Sequence, residues 1–345
     1  MALLACDVAL SAAYDLILSD LDGVAYRGAQ SLPHVAEGYA TARDNGTRIV
    51  FATNNSARTP QTVAEHLNTL GIKATPADVY NSARTGVAQL ATLIPAGSKV
   101  LPVGSDGVRV ALKQGGFEIV TTAAEKPAAV LQGLDPEVTW TQLSQAAMAI
   151  SAGAIFVATN MDATLPKEEG DYLGNGSMVA AVTNATGVVP YSSGKPEPNM
   201  YQLAVRETGG KRPLVIGDRL NTDIAGANRS NYDSLHVLTG VNTMRDIMLA
   251  IDIERPTYLG FDMRSLNEPA PAITVNNGSA QVGDALVTLE GTSLYLNGEL
   301  LTHKSAVSLT LDQYRAVVAT VWHAIDQGTP RDDFAWLPEF EGVES

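Results

Sequence analysis

Three short apolar runs in this chain each stop at polar residues that a buried strand has no use for. They are residues 14–20 (YDLILSD), 48–54 (RIVFATN) and 214–218 (LVIGD). Runs of this length and texture predict strands of a parallel sheet buried on both faces. Helical patterns separate them. Residues 34–45 precede the stop signal Gly46, and residues 62–70 precede Gly71. A fourth run, residues 234–240 (SLHVLTG), follows the third. This β-α-β-α rhythm predicts an α/β fold with a doubly wound, Rossmann-like core. In such sheets ligands bind beyond the carboxyl ends of the strands, where these polar residues sit.

At 345 residues the chain is long enough for two or three domains. Between the second and third runs lie further strand candidates at 99–103, 128–132 and 154–159. Helical patterns fall at 107–114 and 142–151. Residues 160–177 are rich in Gly, Asp, Asn and Pro, which predicts a long functional loop. Beyond residue 260, strand-like runs (AITV, ALVTLEG, SLYLNG) alternate with the turn pairs Asn277-Gly278 and Asn297-Gly298. A helix is predicted over 311–327, with Leu311, Tyr314, Val317, Val318, Val321, Trp322 and Ile325 on one apolar face. The expected division is a core of 1–81 with 188–260, an inserted α/β cap of 82–187, and a small C-terminal α+β domain of 261–345.

The net charge of −14 argues against nucleic acid or an anionic membrane as partner, since either needs a basic patch. No window has the composition of a membrane span, and the first 20 residues lack a basic segment, so neither a span nor a signal peptide is expected. The single cysteine, Cys6, allows no internal disulfide and fits a reducing compartment, read as cytoplasm. An acidic chain that binds an anion must gather positive charge at one place. A metal ion with one or two basic groups would do so.

Four constellations carry chemistry. Asp20-Leu21-Asp22-Gly23 closes the first run: one carboxylate can attack an electrophile and hold a hard cation, while the second can protonate a leaving oxygen. Both would equally suit a solvated turn. Thr53-Asn54-Asn55-Ser56 closes the second, where a hydroxyl and successive N–H groups can hold phosphate oxygens, or Asn55 or Ser56 can cap a helix. Lys195, in Gly194-Lys195-Pro196-Glu197-Pro198, can neutralise a nucleophile and a transferring phosphoryl group, or simply mark an exposed helix start. Gly217-Asp218-Arg219-Leu220-Asn221-Thr222-Asp223 closes the third run. Asp218 can complete an oxygen-rich magnesium site, and Asp223 can orient it, cap a helix, or both.

In this order the four segments resemble the DxDG, Thr, Lys and GDxxxxD motifs of the haloacid dehalogenase superfamily. Asp22 resembles the acid of its phosphatase branch. The strings TNNS, ATNMDATLP, GNGSMVAAVTNATG, GKPEP and GDRLNTDIAGA are similar to the NagD-type and para-nitrophenyl phosphatase branch along nearly all of residues 14–260. The C-terminal segment resembles the layout of bacterial glycerol-3-phosphate phosphatases of that branch, whose extra domain has an acetyltransferase-like fold. No coenzyme A loop is found after Gly260, so an inactive domain of that kind is expected. Where the branch has a glycine turn after the fourth motif, this chain has Ser230-Asn231-Tyr232-Asp233. Asn231 can take the left-handed conformation required there.

The resemblance implies a Mg²⁺-dependent phosphatase acting on a small phosphorylated metabolite, with Asp20 as nucleophile and Asp22 as acid and base. It implies Mg²⁺ held by Asp20, the Asp22 carbonyl and Asp218, with Asp223 behind them. Thr53, the Asn54 backbone and Lys195 would hold the phosphoryl oxygens. Asn55 and the cap residues Asn160, Asp162, Gly174, Asn175 and Gly176 would face the leaving group. The favoured substrate is glycerol 3-phosphate. Phosphoglycolate, pyridoxal phosphate and nucleoside monophosphates stay open, as do a homodimer, a silent phosphometabolite sensor and a bifunctional acyltransferase.

Overall fold

The computed structural model describes residues 2–167, 169–301 and 306–343. Two compact units make up the chain, residues 1–49 with 210–345 and residues 50–209. In the first, Tyr258–Gly260, Asp233–Val237, Pro213–Gly217 and Leu16–Ser19 lie side by side in that order, all parallel. Leu16, Ile17, Leu18, Val215 and Ile216 have no exposed surface, as strands covered on both faces require. The strand Arg48–Thr53 starts in this unit, where the Arg48 N–H donates to the Asp15 carbonyl at 3.1 Å, and continues in the second.

The C-terminal segment belongs to this first unit. Its strands Thr274–Asn276, Ser279–Val282, Ala285–Glu290, Ser293–Leu296 and Glu299–Leu300 form an antiparallel meander in chain order. Asn297 and Gly298 both have positive φ, 49° and 82°, the requirement of a two-residue turn whose twist matches its strands. The helix Leu311–Asp326 starts on a capping box in which Thr310 and Gln313 satisfy each other's orphan donors. Sequence spacing predicts one apolar face, yet Ala316, Ala319, Thr320 and Ala324 on its other side are buried as well. Small side chains let a second surface approach. Val282, Val287 and Leu294 of the meander share a hydrophobic cluster with Leu220, Met244, Ile247, Met248 and Leu259 of the α/β part, and the helix lies within it.

Polar contacts fix that packing. The Trp322 indole donates to the Ile247 carbonyl at 2.9 Å, and Arg315 donates to the Leu259 carbonyl at 3.1 Å. Arg255 is fully buried, 5.0 Å from the Trp322 ring centroid, and grips both oxygens of Asp326 at 2.7 and 2.9 Å.

The second unit holds the pair Arg48–Thr53 and Val79–Asn81 and a five-stranded parallel sheet. That sheet runs Tyr191–Ser192, Ile155–Ala158, Ala129–Gln132, Lys99–Val103, Glu118–Ile119. Its alternate residues divide between two cores: Val100, Leu131 and Val157 face one, Leu101, Val130 and Phe156 the other. The expected loop of 160–177 is structured. It contains the hairpin Thr164–Lys167 with Gly170–Leu173 and the start of the helix Asn175–Thr186. Two four-residue strands rich in turn-forming residues leave too short a pattern to read. Among the described residues no helix is long and apolar enough to cross a membrane.

Removing Asp326 leaves the buried Arg255 guanidinium with the exposed Asp252 carboxylate, 3.7 Å away, as an ion-pair partner. Asp326→Ala should destabilise the first unit by roughly 2–3 kcal/mol, below the ~3–5 of a wholly buried pair because Asp326 is half-exposed. Urea unfolding followed by Trp fluorescence measures it; a loss under about 0.5 kcal/mol, as for a surface pair, would contradict the assignment.

Candidate active site

The first unit, taken by itself, holds a group of carboxylates. Asp20 follows Leu16–Ser19, and its N–H donates to the Ile216 carbonyl at 2.8 Å. Asp218 follows the adjacent parallel strand Pro213–Gly217, so both side chains leave the same edge of the sheet. Asp223 lies in a π-helical turn, Leu220–Ile224, a geometry frequent at functional sites. Asp20, Asp218 and Asp223 are all buried, and one oxygen of each lies within 4.8 Å of the others.

Glycines leave room for this cluster. Gly23 has φ +89°, and a Cβ on it or on Gly240 would overlap the Asp218 carboxylate. Asp218 Oδ2 accepts from the Val241 N–H at 2.8 Å, and Asp223 Oδ2 from the Arg219 N–H at 3.1 Å. Asp218 Oδ1 is buried with no hydrogen-bond partner among the described residues. Burial, then the neighbouring Asp223 and Asp20 carboxylates, push the Asp218 pKa up to about 8. Three buried carboxylates with an orphaned oxygen fit a small, hard, oxygen-seeking cation. They do not explain themselves as a fold-stabilising feature, since like charges in low dielectric repel.

His236 on Asp233–Val237 is fully buried behind Asp218. Burial lowers its pKa to about 4, so the ring is neutral and its Nε2–H donates to the Asp218 carbonyl at 3.0 Å. The sequence offers no signal for this role, because a lone histidine in an apolar run reads as core. Asp22 is exposed, and its carboxylate stands outside the trio that Asp20, Asp218 and Asp223 form.

The second unit, taken by itself, holds Thr53, Asn54, Asn55 and Lys195. Thr53 ends the strand Arg48–Thr53 and is buried. Its hydroxyl oxygen accepts from the Asn55 N–H at 3.2 Å. Neither Asn55 nor Ser56 caps a helix: Thr59 caps Pro60–Thr69. Ser56 is fully buried, accepting from the Leu134 N–H and the Thr159 hydroxyl. Lys195 is only 3% exposed, with its ammonium donating to the Ala52 carbonyl at 3.0 Å. It is not the solvated lysine of an ordinary helix start.

Among the cap residues, Asn160 and Asn175 are buried and linked: Asn175 Nδ2 donates to the Asn160 carbonyl at 2.8 Å. Gly174 and Gly176 accept close approach, but from the chain itself. A Cβ on either would overlap backbone atoms of Met161 or Asp162, and the Gly174 and Gly176 N–H groups donate to the Ala163 and Asp162 carbonyls at 2.9 and 2.8 Å. Asp162 is half-buried, and its carboxylate accepts from Asn54 Nδ2 at 3.2 and 3.3 Å.

Residues 17–118 match the haloacid dehalogenase-like hydrolase family, and residues 192–266 match a second HAD-hydrolase-like segment. The chain belongs to the haloacid dehalogenase-like hydrolases. It is 39% identical to a D-glycerol 3-phosphate phosphatase of Mycobacterium tuberculosis, across 90% of this chain and 86% of that one. It is 35% identical to a 5′-nucleotidase of Bacillus subtilis, across 75% of this chain and 99% of that one. In structure it is similar to the M. tuberculosis glycerol phosphate phosphatase solved with magnesium, with a TM-score of 0.80, 35% identity and coverage of 98% and 96%. The same enzyme solved with calcium gives 0.82, with coverage of 98% and 95%.

The carboxylate trio sets a pH dependence. Asp218 holds its proton in the fold up to about pH 8 but releases it near 4 when unfolded. Its contribution to cation-free stability is therefore present below about pH 4 and lost as pH rises through about 8. A cation must displace that proton, so its affinity rises with pH across this window. Saturating-range Mg²⁺ titrations should raise the melting temperature more at pH 8 than at pH 6. An equal or larger gain at pH 6 would contradict a cation bound by this trio.

Proposed function

We propose that this chain is a Mg²⁺-dependent phosphatase that hydrolyses a small phosphate monoester through an aspartyl-phosphate on Asp20, with glycerol 3-phosphate as the favoured substrate. The observation that carries the reaction class is the buried trio Asp20, Asp218 and Asp223 with its orphaned oxygen, on a chain of this family. The substrate preference is supported by the C-terminal segment. The M. tuberculosis glycerol phosphate phosphatase matches 98% of the chain in structure, whereas the B. subtilis nucleotidase accounts for 75% in sequence alignment.

In this reading Asp20 attacks phosphorus; the Asp20 Oδ–P bond forms as the bond to the leaving oxygen breaks. Asp22, exposed at the turn, gives its proton to the departing alkoxide and then takes one from the water that opens the aspartyl-phosphate. Thr53, the Asn54 N–H and Lys195 hold phosphoryl oxygens. Positioning and charge neutralisation are what phosphoryl transfer demands of a protein. Asp20, Asp218 and the Asp22 carbonyl would hold Mg²⁺, with Asp223 supporting, and the ion would supply positive charge to the transferring group. We further assign residues 82–187 as the substrate-facing cap. There Asn160, Gly174, Asn175 and Gly176 hold the shape of the loop that carries Asp162, and Asn55 faces the leaving group from the core side.

Two measurements test this. With Mg²⁺ present, Asp20→Asn should retain less than about a hundredth of wild-type turnover, as for other lost nucleophiles. Asp22→Asn should slow alkyl phosphates more than para-nitrophenyl phosphate, whose leaving group needs no proton. Equal losses would remove Asp22 as the acid.

Glycerol 3-phosphate offers little apolar area, so its selection depends on hydrogen bonds to its hydroxyls. A site built to pair with a hydroxyl rejects the analogue that lacks it. The wild-type enzyme should hydrolyse glycerol 3-phosphate at least about 100-fold faster than propyl phosphate at equal concentration. Preference for a nucleoside monophosphate in the same panel would replace the substrate and leave the mechanism standing.

A further inference from the structure

The side chain of Asn54 commits both its donor hydrogens and its oxygen to two other segments of the second unit. Its Oδ1 accepts from the Lys195 N–H at 2.8 Å, and its Nδ2 donates to the Lys195 carbonyl at 3.0 Å. The amide thus grips the Lys195 residue as a neighbouring strand would. The other Nδ2 hydrogen is directed at the Asp162 carboxylate, shared between oxygens at 3.2 and 3.3 Å. The reverse orientation of this amide would set its oxygen against the Lys195 carbonyl and the Asp162 carboxylate, all acceptors. The orientation is therefore fixed by its partners.

The surroundings are built for this contact. The Asn54 carbonyl accepts from the Ser82 hydroxyl at 2.6 Å and from Asn160 Nδ2 at 2.8 Å. The Asn160 Oδ1 in turn accepts from the Asp162 N–H at 3.2 Å. A Cβ on Gly194 would stand 2.7 Å from Asn54 Oδ1 and 2.5 Å from the Thr159 carbonyl, so only glycine lets the Lys195 segment come this close.

We propose that the Asn54 side chain is a positioning residue that sets the backbone of Lys195 and, through its bond to Asp162, makes the placement of that lysine depend on the conformation of the cap loop. It deepens the phosphatase reading above and rests on it. A hydrogen bond to an ionised carboxylate is stronger than a neutral one and polarises the donor amide. Asp162 therefore tightens the grip of Asn54 on Lys195, and a substrate that moves the Asp162 loop is felt at the phosphoryl-holding ammonium. Asn54 itself acts through Lys195, in addition to what its backbone N–H contributes.

Reciprocal substitution tests the coupling. Asn54→Asp keeps the acceptor for the Lys195 N–H, loses both donors and sets a carboxylate against Asp162. Its kcat on para-nitrophenyl phosphate should fall about 100-fold, with KM changed less than about three-fold, the pattern of a lost transition-state interaction. Asp162→Asn alone should cost less than about ten-fold. In the double variant the amide introduced at position 162 can donate to the carboxylate introduced at position 54, so kcat should recover at least about ten-fold over Asn54→Asp. Melting temperatures, followed in parallel, should not track that recovery. Losses that multiply in the double variant overturn the proposal. So does a recovery of kcat that merely follows restored stability.

If Asn54→Asp fails to fold, Asp162→Ala carries the test. Its kcat should drop about five-fold with an unchanged melting temperature, on the scale of coupled pairs, and an unchanged kcat overturns the proposal. A wild-type chain inactive on every phosphate monoester removes the underlying reading instead, which the wild-type assay shows before any variant is compared.

Discussion

Three carboxylates buried within 4.8 Å of one another are an electrostatic liability, and the first unit is arranged around them. Each charged oxygen removed from water must be compensated by hydrogen bonds, a proton or a cation. Backbone N–H groups from Val241 and Arg219 satisfy one oxygen each of Asp218 and Asp223, and the buried Oδ1 of Asp218 has no hydrogen-bond partner among the described residues. The same arrangement explains why Gly23 and Gly240 stand where a side chain would overlap Asp218. It also explains why a neutral histidine, not a charged one, backs the Asp218 carbonyl: the fully buried His236 is held unprotonated by its own desolvation.

The loop that donates to Asp218 leads straight into the helix Met244–Met248, and there the C-terminal segment meets the support of the site. Met244, Ile247 and Met248 lie in the same hydrophobic cluster as the meander and the Leu311–Asp326 helix. The indole of Trp322 ties that helix to Ile247. Apolar burial supplies the non-directional part of this union, and the Arg255–Asp326 pair its register. The C-terminal segment thus shares one hydrophobic cluster with the helix that follows the loop donating to Asp218.

The carboxylates of the candidate site are legible in the sequence because their placement is local. Asp20, Asp22 and Asp218 follow apolar runs directly, so a strand ending in acid predicts both the sheet and the carboxylates at its edge. What escaped the sequence depends on contacts across distance. Asn54 meets partners 108 and 141 residues away, which no spacing rule detects. His236 sits in a run whose apolar neighbours predict only a strand. The helix Leu311–Asp326 reads as amphipathic because alanines on its second face carry little hydrophobic signal, yet their small size is what admits a second packing surface. The hairpin within 160–177 was hidden by strands of four residues, each too short for period-two alternation to rise above turn composition.

The proposed chemistry turns on Asp20 as the group that takes the phosphoryl. Rapid quenching of the Mg²⁺-loaded enzyme during turnover of glycerol 3-phosphate, followed by borohydride reduction and peptide mass spectrometry, tests it most directly. An acyl phosphate is reduced where a free carboxylate is not, so homoserine should appear at position 20 and at no other aspartate. Continued release of phosphate with Asp20 unmodified, or homoserine at Asp22, Asp218 or Asp223 instead, would contradict it.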